Sequence, residues 1–188
     1  MTMLLAGIGL WFVVHSFPAI APGARAALQQ KLGEKPYAGV FSLTILAALL
    51  LIIFGWKSAI PSAIYSPPVA PGVLSSVLVL VGLVLFFASQ MNGNIKRVLR
   101  HPQMAGTILW AVAHLLTNGD SRSITLFGGM AIWALFEIVM INRREGSRTN
   151  MPSAAGKFDL IAVVVGIVAF AVIGHFHQTL FGVAPNAL

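Results

Sequence analysis

The chain has 188 residues, 57% of them hydrophobic and 9% charged, with a mean hydropathy of +0.87. A soluble domain carries about 25% charged residues, so polar side chains are too few to coat a water-soluble globule, and lipid is expected as the solvent. Cysteine is absent, which excludes disulfides, thiolate metal ligands, covalent c-type haem and cysteine nucleophiles. The net charge of +7 lies in short loops between apolar runs, not on the aromatic-interleaved basic face that nucleic-acid binding needs.

The composition predicts an all-α integral membrane protein, one domain over residues 1–188, with six spans at about 2–20, 38–60, 71–91, 102–118, 123–141 and 158–181. The first apolar run has no basic residue before it and several after it, so it reads as a retained span rather than a secretory signal. Within it, Trp11 lies one turn before His15, followed by Ser16 and Pro18. Loop 21–37 then carries Pro22-Gly23 and Pro36 with Arg25, Lys31 and Lys35. The second span ends near Pro61, and Pro67-Pro68 and Pro71 mark the turn into the third. Asn92-Gly93 opens a loop with Lys96, Arg97 and Arg100, and Pro102 suits the first turn of the fourth helix.

That fourth segment is short and carries His101, His114 and Asn118, so a re-entrant helix is an alternative to a span. Asn118-Gly119-Asp120 ends it, and the fifth span runs to Asn142. The stretch 142–157 holds Arg143, Arg144, Arg148, Lys157 and the Met151-Pro152 boundary, ahead of the sixth span. Alternate loops thus hold ten of the twelve basic residues, leaving Lys57 and Arg122 on the other side. The positive-inside rule assigns the ten to the cytoplasm, and both termini to the non-cytoplasmic side.

Polar groups inside the bilayer are costly and face a bundle interior or cavity. Thr107, Ala111, His114 and Asn118 share one face of the fourth helix at 100° per residue. His114 therefore reads either as an interhelical hydrogen-bonding residue or as a ligand to a metal or haem iron. His15 on the first span is a second buried imidazole, and bundles build haem sites from facing helices. His101 lies 13 positions before His114, roughly 220° around a regular helix, so the two point to different sides. Arg100-His101-Pro102 reads as a capping turn at the headgroups, or as a substrate or propionate contact. Glu137 must be protonated or paired, with Arg97, Arg100, Arg143 or a histidine as partner. His175 and His177 diverge on a helix and are expected to be solvated near the outer interface.

Three stretches carry a family resemblance: Trp11 to Ser16, the run Arg100 to Asp120 (RHPQMAGTILWAVAHLLTNGD), and Asn142-Arg143-Arg144. The chain resembles the NnrU family of membrane proteins over nearly its whole length. That family includes bacterial proteins associated with denitrification and nitric oxide metabolism, and the 15-cis-zeta-carotene isomerases. The resemblance implies a haem b held in the membrane by His15 and His114, with Asn118, Arg100 and His101 beside the cofactor. An apolar or gaseous ligand and a bacterial inner-membrane location follow from the same source. The isomerase branch carries a Cys near the second histidine, where this chain has Ala111. His15 and His114 are also expected to differ in depth by roughly 12 Å.

Two alternatives stay open. Arg100-His101-Pro102 with Gly106 also resembles isoprenylcysteine carboxyl methyltransferases, although the downstream acidic pair of that group is missing. A non-catalytic helper with merely hydrogen-bonded histidines is the other.

Overall fold

The computed structural model describes residues 1–67, 72–147 and 154–185. Pro68, Pro71, Arg148 and Met151-Pro152, which entered the loop assignments above, lie outside the described residues.

Among the described residues eight helices follow in chain order: α1 Thr2–Ile20, α2 Pro22–Leu32, α3 Glu34–Ser58, α4 Gly72–Ala88, α5 Asn94–Val98, α6 Pro102–Leu115, α7 Ser121–Glu145 and α8 Gly156–Phe181. Among the described residues the only extended pairing is an isolated bridge between Ala63 and Asp120. Helices α1, α3, α7 and α8 are long and apolar enough to cross a membrane, whereas α4 is apolar but has 17 residues. Their outward faces are uniformly greasy: Val13, Leu43, Ile132 and Leu160 are each more than 60% exposed. So much exposed aliphatic surface is compatible with lipid as the surrounding solvent.

The loop expected over 21–37 is mostly helix. Pro22 supplies a preset first-turn φ for α2, and Gly33, with φ +87°, provides the turn into α3. None of α2 is buried. The third apolar segment stops at Ala88 rather than 91, where tight turns at Gln90 and Met91 replace the helical bonds.

The packing order is α3–α1–α7–α6–α4–α8. Small residues set the closest crossings. A Cβ on Gly7 would lie 2.7 Å from the Ile52 nitrogen, so α1 and α3 touch backbone to backbone. Gly82 and Gly106 do the same for α4 and α6, and Gly166 lies against Val84 for α8 and α4. Dispersion at close approach is how helices associate where lipid removes the hydrophobic drive.

Side-chain contacts sort the ends. At one end Arg144 donates to the Pro18 carbonyl, Arg100 to that of Gly146, and the Asn94 and Ile95 amides donate to Asp159. We call this the basic end. At the opposite end the Ile64 and Tyr65 amides donate to the Gly119 carbonyl, and Arg122 donates to that of Trp56. Helix α6 has only 14 residues, yet its flanks reach both ends. His101 meets Asn142 at the basic end, and Gly119 meets Tyr65 at the other.

Candidate functional site

Within the bundle two clusters of rings surround a histidine each. Nearer the basic end, His15 on α1 stacks against Trp11 (ring centres 4.0 Å apart) and meets Trp133 of α7 at 5.2 Å and Phe41 of α3 at 6.2 Å. The i, i+4 spacing of Trp11 and His15 puts both on one face. His15 Nδ1–H donates to the Trp11 carbonyl at 3.1 Å. A carbonyl only accepts, so this bond places the ring proton on Nδ1 and leaves the neutral ring's Nε2 as a free lone pair. Three buried donors here have no partner: the indole Nε1 of Trp11 and of Trp133, and the Tyr37 hydroxyl.

Nearer the opposite end, His114 of α6 stacks on Phe127 (4.3 Å, 22° between planes) and touches Trp110 at 5.1 Å. Its Nδ1–H donates to the Trp110 carbonyl at 2.7 Å, the same i−4 device as at His15. Phe127 belongs to a π turn, Ile124–Gly128, set within α7. The widened turn lets consecutive residues face two neighbours: Leu126 packs on Leu4, Ile8 and Ile52, and Phe127 on Trp110 and His114. Trp56 covers Phe127 edge-on, and Arg122 lies 4.0 Å over the Trp56 ring. Against the expectation of a solvated side chain, His177 of α8 is half-buried, with its ring 6.5 Å from that of His114. Its sequence position gave no sign of this, because the partner comes from a different helix. His175, two residues earlier, is exposed as expected.

The remaining candidates are structural joints. Arg100 donates to the Gly146 carbonyl at 2.7 Å and pairs with Glu145 at 3.4 Å. His101 Nε2–H donates to Asn142 Oδ1 at 2.9 Å. Together they tie the start of α6 to the end of α7. Asn118 Nδ2 donates to the His114 carbonyl at 2.9 Å, closing the end of α6. Asp120 caps α7, accepting from the Arg122 and Ser123 amides at 3.0 Å each and from the Ser123 hydroxyl at 2.6 Å. Desolvation raises its carboxyl, but these bonds and the Arg122 charge outweigh it and hold the group below the usual range. Glu137 is buried, and its partner is the Ser16 hydroxyl at 2.6 Å rather than an arginine or histidine. Ser16 lies on the α1 face next to α7, so a hydroxyl reaches the carboxyl where the loop arginines do not.

Along α7, Trp133 and Phe127 lie six residues apart, about 9 Å of helix rise, so the two histidines have their ring neighbours at different levels of that helix. They share no ring neighbour. Both nevertheless lean in the favourable direction, since side chains tilt toward their own helix N-terminus. Helix α1 runs toward the basic end and α6 away from it, so His15 and His114 tilt toward each other. Among the described residues no group of three or more His, Asp or Glu side chains converges as a metal cage.

An all-helical chain with a lipid-compatible outer face and two imidazoles held in its interior is a membrane protein with a candidate cofactor or ligand site. A family model described as NnrU protein matches residues 3–185, nearly the entire chain, and the chain belongs to that family. No curated protein and no solved structure matches it.

Proposed function

We propose that this NnrU-family chain is a haem b protein of the bacterial inner membrane, in which His114 would hold the iron and His15 is the second candidate that the family resemblance implies. In this reading six helices cross the bilayer and both termini are non-cytoplasmic. The reach of α6 from one end of the bundle to the other supports counting it as a span.

The observation that carries the haem reading is the tautomer shared by the two histidines. Each ring donates from Nδ1 to a backbone carbonyl, so each offers Nε2 as a neutral imidazole donor. A carbonyl that accepts from the far ring nitrogen in this way fixes the tautomer and orientation of metal-binding histidines. The surroundings suit a large, flat, mostly apolar group. Trp11 and Trp133 pack on His15, Trp110 and Phe127 pack on His114, and the unpartnered Trp11, Trp133 and Tyr37 donors are available to a ligand's polar edge. Haem, when bound, supplies a one-electron couple and an iron to which a small or unsaturated molecule binds.

Ala111 stands where the isomerase branch has a thiol, and this favours a nitrogen-oxide role in denitrification over carotenoid cis-trans isomerisation. The methyltransferase alternative gains no support from Arg100 and His101, whose side chains are occupied in joining α6 to α7. The test is a reduced-minus-oxidised absorption spectrum of detergent-purified protein expressed with ample haem, beside His114→Ala. A b-type signal lost in the variant is the expected result. A wild-type protein without haem would overturn the reading and leave the helper role.

A further inference from the structure

We propose that His177, rather than His15, is the ligand trans to His114, which would place the iron between α6 and α8. The proposal rests on the haem reading above and deepens it.

The separation of the rings decides between coordination geometries. With metal–nitrogen bonds of about 2.0–2.1 Å and about 1.1 Å from nitrogen to ring centre, two trans imidazoles have centres about 6.3 Å apart. Two imidazoles on a tetrahedral ion would bring them to about 5 Å. The His114 and His177 centres are 6.5 Å apart, with 20° between the planes. That spacing matches opposite axial positions on a planar macrocycle better than a tetrahedral site. The ring contacts of His15 are Trp11, Phe41 and Trp133, and His114 is not among them.

His177 is also prepared chemically. Its Nδ1–H donates to the Val183 carbonyl at 2.7 Å. That carbonyl is brought back to the ring by Gly182, the helix cap, in left-handed conformation at φ +73°. Like His114, His177 therefore keeps Nε2 for a ligand, and no hydrogen bond occupies either Nε2 among the described residues. Helices α6 and α8 both pack on α4, and the two histidine rings approach each other there. Phe127 covers the His114 ring and Phe181 touches that of His177.

The experiment is low-temperature electron paramagnetic resonance and absorption of the ferric full-length protein in detergent, wild type beside His177→Ala, His177→Met and His15→Ala. Helicity and elution volume confirm that each variant is folded. The wild type is expected to be low-spin with two imidazoles. His177→Ala should become high-spin and regain the low-spin signal on adding free imidazole. His177→Met should show a histidine–methionine spectrum, and His15→Ala should stay low-spin. A bis-imidazole spectrum unchanged in both His177 variants but lost in His15→Ala would overturn the assignment while leaving the haem reading intact. A wild type without haem would overturn both.

Discussion

The two histidine clusters use one device and differ in how they are finished. Around His114 most polar groups have a protein partner, Arg122 Nε and the Nε2 atoms of His114 and His177 excepted. The Trp56 indole donates to the Phe181 carbonyl at 3.4 Å, Arg122 lies over the Trp56 ring, and His177 approaches from α8. Around His15 two indoles and a phenol are left unpartnered inside the bundle. A buried donor without an acceptor costs about 1–3 kcal/mol, so a fold retains three of them only against an opposing gain. The contrast separates a half whose hydrogen bonds are mostly made within the chain from a half with three donors left to give.

Substitutions that load the two halves differently sharpen the contrast. The largest effect is expected at the α4–α6 crossing, on which the His114 half is built. A Cβ on Gly106 would lie 2.5 Å from the Gly82 carbonyl oxygen, with backbone on both sides. Gly106→Leu should therefore prevent α6 from docking, seen as loss of the monodisperse peak in detergent gel filtration; a stable, folded variant would refute the backbone contact. Next comes Ser16→Ala on the His15 side, which strips the buried Glu137 carboxyl of its partner. It should cost about 1–3 kcal/mol, read as a lower midpoint in thermal unfolding. An unchanged midpoint would mean that the carboxyl finds another partner.

The smallest effects test the contrast itself. Trp56→Phe removes a satisfied indole and its cation–π contact, and should destabilise by about 1 kcal/mol. Trp133→Phe removes an unsatisfied one, and in ligand-free protein should be neutral or slightly stabilising. If both variants lose the same stability, the two halves do not differ in this way.

Much of this was legible along the chain. Proline and glycine boundaries located six apolar helices to within a few residues, because helix termination is a local event. The pairing of Trp11 with His15 followed from i, i+4 spacing. The helix in the first basic loop went unread because α2 has no apolar face to reveal it: all its residues lie outside the core. Glu137 was recognised as needing a partner, but the choice of Ser16 depended on α1 and α7 running parallel, which no local pattern specifies.

By itself, then, the sequence determined a lipid-solvated helical protein of the NnrU family with two histidines inside it, since burial cost and periodicity are properties of single segments. Only the tertiary structure decided which helices are neighbours, and hence that His177 stands beside His114, that Phe127 covers it, and that Arg100 and His101 are tied to the end of α7. Those relations join residues tens of positions apart, and they follow from where small residues let one helix approach another.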